Sequence, residues 1–99
     1  MKTLKEIKEI LSEHKNELSR KYGVTELGIF GSYVRDEAQV TSDLDILIEF
    51  DENVRISLLD FIHIERYLSD LLGLKVDLVE KSALKPGIGR HILSEVIYL

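Results

Sequence analysis

The 99-residue sequence contains no cysteine, no tryptophan and a single proline, Pro86. Without cysteine there is neither a disulfide framework nor a thiolate metal site, which fits a reducing cytoplasm. No apolar run approaches the roughly 18 residues of a membrane span, and the opening MKTLKEIKEIL carries too many charges for a secretory signal. Positive charge is scarce too: 13 Lys and Arg stand against 18 Asp and Glu, a formal net charge of -5. Neutralising phosphates with Lys and Arg supplies most of the sequence-independent affinity for nucleic acid, so a long polynucleotide is a poor partner. A triphosphate bridged by divalent cations is different, because there the metal brings the positive charge and the protein contributes carboxylates.

What is present suffices for one small domain over residues 1–99, with 44% hydrophobic residues. A chain of this size buries about two thirds of its unfolded surface, enough for one core and no second substrate-binding domain. Any acceptor is therefore met largely outside the fold. Leu4, Ile7, Ile10, Leu11, Leu18 and Tyr22 form one helical stripe that Gly23 stops. Glu26 to Phe30 reads as a strand closed by Gly31-Ser32, and Tyr33 to Ala38 as one or two helical turns. From Asp43 to Phe50 the chain alternates, with Leu44, Ile46, Ile48 and Phe50 on one side and Asp43, Asp45, Leu47 and Glu49 on the other.

Ile56 to Leu72 reads as a second long helix ended by Gly73, with more apolar residues than one buried face needs. A third strand is expected at Leu74 to Val79. Beyond it come a loop with Pro86, Gly87 and Gly89, and a last helix from about Arg90. This order predicts an α/β (α+β) fold, a three-stranded sheet with flanking helices. The surplus apolar area of the second helix and the tail Val96 to Leu99 are either extra core or an interface.

The candidate chemistry lies between the first two strands. Gly31 lets the backbone approach a ligand, and Ser32 offers a hydroxyl and free N–H groups where an anionic phosphate is favoured. After ten intervening residues, Asp43 and Asp45 leave the same sheet face and can hold Mg²⁺ between protein and phosphates. If the third strand lies beside the second, Asp77 joins them as a third carboxylate and candidate base, a set suited to two metal ions. Ordinary readings exist for each: a capped turn for Gly31 and Ser32, a solvated strand face for the three aspartates. Arg35 could reach a triphosphate or pair with Asp36, Glu37 or a strand carboxylate. Gly87-Ile88-Gly89-Arg90 reads as a flexible connection, and His14, on the first helix's apolar stripe, as a packed core or partner residue. His63 and His91 lack metal-ligand spacing.

The segment GSYVRDEAQVTSDLDILIEF resembles the signature of the DNA polymerase beta type nucleotidyltransferases, Gly-Ser, ten residues, Asp-x-Asp. Chain length, Arg35, Ser42 and Val76-Asp77-Leu78-Val79 extend the resemblance to the minimal nucleotidyltransferases, or MNT proteins, over nearly the whole chain. It departs at Asp36, where relatives often carry Gly. The resemblance implies a mixed sheet and an ATP-dependent antitoxin, paired as a hetero-oligomer with a HEPN-domain toxin and transferring AMP to one of its tyrosines. It further implies phosphate binding by Gly31 and Ser32, and Mg²⁺, as two ions, at Asp43, Asp45 and Asp77. The alternatives are an antitoxin that neutralises its partner by binding alone, and a nucleotidyltransferase with a small-molecule acceptor.

Overall fold

The structure, a computed structural model, describes residues 2–99. Helix α1 (Leu4–Tyr22) starts at a capping box in which Thr3 and Glu6 satisfy each other's backbone N–H groups, and it ends at Gly23, φ 74°. Ile7, Leu11 and Leu18 turn one face to the core. Strand β1 (Val24–Phe30) leads through a long turn into β2 (Leu44–Phe50), and α2 (Leu58–Leu72) follows from a second capping box, Ser57 with Asp60. Gly73, φ 65°, stops it, and β3 (Val76–Glu80) comes next. A 3-10 turn at Lys81–Ala83, helix α3 (Pro86–Glu95) and β4 (Ile97–Tyr98) complete the order.

The sheet runs β3-β2-β1-β4. The pairs β1–β2 and β1–β4 are antiparallel, while β2–β3 is parallel, a connection that requires a crossover and obtains it from α2. One face carries the main core, with Leu27, Ile29, Leu44, Ile46 and Ile48 under the buried stripes of α1 and α2. On the other face a smaller cluster of Phe30, Leu47 and Ile92 forms beneath α3. Leu47 is thus buried although its neighbours on that face are Asp45 and Glu49. The apolar surplus of α2 divides: Ile64, Leu68 and Leu72 are buried, whereas Leu58 and Leu59 are 73% and 78% exposed at its first turn. No described helix is long and apolar enough to cross a membrane.

Three expectations are corrected. The sheet has four strands rather than three, because the tail pairs with β1, Gly28 opposite Tyr98 and Ile29 opposite Ile97. The last helix begins at Pro86 rather than near Arg90, so Gly87 and Gly89 lie in its first turn; proline's fixed φ and missing N–H suit the first helical position. Over residues 33–38 no helix forms: turns run to Asp36, whose left-handed φ of 58° prevents helical propagation, and residues 37–38 are irregular.

Candidate active site

The end of β1 and the start of β2 come together because they pair: Phe30 lies opposite Asp45. Gly31 follows with φ 82°, and a methyl group there would overlap the Asp45 carboxylate, standing 3.0 Å from its Cγ. Glycine is therefore required twice over, by backbone conformation and by the close approach. The turn is held by the Gly31 carbonyl, which accepts from the N–H groups of Val34 (3.0 Å) and Arg35 (3.2 Å), and by the Ser32 carbonyl, which accepts from Glu37 N–H (2.9 Å). Ser42 then closes the loop on Gln39, its Oγ accepting from Gln39 N–H at 2.9 Å.

Across the parallel pair Asp45 lies opposite Asp77. Neighbouring strands are about 4.8 Å apart, so the two side chains leave one face as nearest neighbours. Asp43 precedes β2, with Lys75 Nζ 3.9 Å from its Oδ2, a loose and solvated pair. Asp45 is half-buried, Asp77 exposed. Burial, then the charges of Asp77 and Asp43, push the Asp45 carboxyl up to about 6 from an ordinary 3.8, with Glu95 adding and Arg35 opposing. A carboxylate raised by burial and by neighbouring carboxylates gains from a cation placed among them. Among the described residues, no three acidic or imidazole groups close on one point as a metal cage. Mg²⁺ is usually held by one or two carboxylates plus substrate phosphates, so an open carboxylate row suits that ion when it arrives with a nucleotide.

Arg35 is taken up by carboxylates. Its Nε donates to Glu37 at 2.6 Å and its Nη1 to both oxygens of Glu95 at 3.0 Å; the pairs with Glu37, then Glu95, raise its pKa. Glu95 Oε1 also accepts from Gly31 N–H at 3.0 Å. Burial works to raise the Glu95 pKa, but the hydrogen bonds from Arg35 and Gly31 outweigh it and hold the carboxyl below its usual value. The structure thus gathers Gly31, Ser32, Arg35, Asp43, Asp45 and Asp77 at one end of the sheet and adds Glu95. Nothing in the local pattern around Glu95 separates it from the other acidic residues of the chain. Its role depends on contacts with residues 60 and 64 positions away.

Elsewhere, His14 Nδ1 lies 2.8 Å from the Ile10 carbonyl and its ring meets Tyr67 edge-on, the packed role expected of it. A concavity of about 720 Å³ lies at the opposite end of β2, between Phe50–Val54 and Glu80–Ser82, and none of the three aspartates lines it.

Residues 11–99 match the family described as Nucleotidyltransferase domain. The chain belongs to this nucleotidyltransferase family. It is 57% identical over 99 residues to the protein adenylyltransferase MntA of Thermococcus cleftensis, covering 100% of this chain and 98% of that one. A solved "putative minimal nucleotidyltransferase" superposes with a TM-score of 0.74 at 33% identity, covering 94% of this chain and 95% of the other. The fold recurs, at 16% identity and a TM-score of 0.65, in a chain of the solved complex of tri-AMPylated Shewanella oneidensis HEPN toxin with MNT antitoxin; 93% of this chain and 70% of that one are covered. The nucleotidyltransferase thus has an α+β fold with a four-stranded mixed sheet.

Proposed function

We propose that this nucleotidyltransferase is a cytoplasmic protein adenylyltransferase and antitoxin. It transfers AMP from Mg²⁺-bound ATP to a tyrosine hydroxyl of a HEPN-domain partner. The observation that carries the reading is the side-by-side register of Asp45 and Asp77 next to Gly31. Support for the protein acceptor comes from the relative named an adenylyltransferase and from the fold shared with a chain of the AMPylated toxin complex. The concavity of about 720 Å³ lies at the other end of β2 from the carboxylates, which favours an acceptor presented by another protein.

In this reading Asp43 and Asp45 hold the metal-loaded triphosphate, while Gly31, Ser32 and Arg35 meet its phosphates. Bound there, Mg²⁺ would offset charge on the phosphates and on the leaving pyrophosphate. The hydroxyl oxygen forms a bond to the α-phosphorus as the bond to the bridging oxygen of pyrophosphate breaks. The hydroxyl proton needs an acceptor, and Asp77, exposed on β3 beside Asp45, is the candidate base.

The test is incubation with ATP, Mg²⁺ and the HEPN partner followed by intact-mass measurement. AMP-sized increments on the partner are expected, mapping to tyrosine, and they disappear with Asp43→Asn combined with Asp45→Asn. Protection of cells by that double variant would replace the enzymatic reading with neutralisation by binding alone.

A further inference from the structure

The ladder between β1 and β4 ends with Ile29 opposite Ile97. Continued two residues further, the same antiparallel register sets Gly31 opposite Glu95, beyond the last paired residues. There the Gly31 N–H, which a third rung would have given to a backbone carbonyl, is taken by Glu95 Oε1 at 3.0 Å. The same carboxylate receives Arg35 Nη1 on both oxygens at 3.0 Å. Its side chain is only 15% exposed, against 45% for Arg35. One acid at the end of α3 therefore fixes both ends of the turn, the residue that opens it and the guanidinium four residues later. The ion pairs use Nε and Nη1 of Arg35, and Nη2 with its two donors takes part in neither.

We infer that Glu95 is a positioning residue of the nucleotide site, anchoring the Gly31 N–H and the Arg35 guanidinium so that Ser32 and the free edge of Arg35 are presented to the phosphates. The inference rests on the nucleotide reading above and goes beyond it by giving α3 and β4 a part in the site. Fixing a turn in its bound conformation lowers the ordering cost of binding, so removal of the anchor weakens nucleotide binding although Glu95 itself carries the charge that phosphates repel. A competing role, in which Glu95 merely fills the phosphate position, has the opposite sign: removing it would tighten binding.

The experiment compares the full chain with Glu95→Ala and Glu95→Gln. Mg²⁺ with AMP-PNP is titrated by calorimetry, and the Gly31 amide is followed by NMR and hydrogen exchange without nucleotide. Expected are a shifted, less protected Gly31 amide and an affinity about tenfold lower in Glu95→Ala. In Glu95→Gln the amide oxygen still accepts from Gly31, so the amide stays protected and the loss is about threefold. Glu95→Ala is further expected to cost less than tenfold when Arg35→Gln is already present, since part of its effect runs through Arg35 and the rest through Gly31. Unchanged or tighter binding in Glu95→Ala, with wild type binding normally, overturns the inference alone. Absence of binding by wild type overturns the nucleotide reading and the inference with it. If Glu95→Ala fails to fold, Glu95→Gln decides: wild-type affinity there sinks the proposal.

Discussion

At Asp45, burial and the nearby carboxylates on which the proposed metal site relies make the metal-free protein less stable. Its carboxyl is raised to about 6, so between roughly pH 4 and 6 the folded state binds more protons than the unfolded one, and stability falls as pH rises through that window. Above pH 6 the penalty is complete; near pH 4 it is gone. Asp45→Asn is therefore expected to stabilise the metal-free protein at pH 7 by about 1–2 kcal/mol, after discounting for its partial solvent exposure, and to have almost no effect near pH 4. Urea unfolding at the two pH values in the presence of a chelator checks this, while the same variant should lose AMP transfer. Asp36 is a second strained position. Its φ of 58° suits glycine, so Asp36→Gly should match or exceed wild-type stability by up to about 1 kcal/mol, and Asp36→Val should lose about 1–2 kcal/mol in the same assay. Much of this was readable beforehand: Gly31, Ser32, Asp43 and Asp45 are spaced along one connection, and Asp36 stood out as a departure in its turn. Glu95 was not readable, because a carboxylate that acts by accepting from Gly31 and Arg35 carries no local sequence pattern.

The longer elements were legible because each carries its own punctuation. α1 has its stripe and the left-handed Gly23, α2 its apolar run closed by Gly73, and β2 alternates strictly on its buried side. β4 was missed because two residues show no periodicity; they form a strand only through β1. The start of α3 was missed because Gly87 and Gly89 look like a loop, while Pro86 at the first position and the packing of Gly89 against Leu84 compensate for their poor helix propensity. Gly28 is what lets β4 and the end of α3 lie close to the sheet: a Cβ there would stand 2.6 Å from Val96 Cγ2 and 3.2 Å from the Ile97 carbonyl. Gly28→Val is expected to lift this segment and cost about 1–3 kcal/mol by overpacking. Hydrogen exchange should locate the loss at Ile97–Tyr98 and Gly31 rather than in α1.

For the molecule as a whole, charge sets the terms on which a nucleotide can bind. The net charge of -5 and the row of Asp43, Asp45 and Asp77 both repel a bare triphosphate, and the nearby cations are engaged, Arg35 with Glu37 and Glu95 and Lys75 loosely with Asp43. Binding of AMP-PNP should therefore require a divalent cation far more than it would in a site built on Lys and Arg. With a chelator the affinity is expected to fall at least about a hundredfold, read by calorimetry against the Mg²⁺ titration. Two further signs separate repulsion from a general loss of structure. Raising salt screens charges beyond about 10 Å at 0.1 M and at still shorter separations at higher concentration, so the residual metal-free binding should strengthen with added salt. Asp43→Asn combined with Asp45→Asn should likewise improve metal-free binding while weakening binding with Mg²⁺. A metal-free affinity equal to the Mg²⁺ value, or one lowered in both conditions by the double variant, would mean that the aspartates shape the pocket and do not serve as its cation ligands.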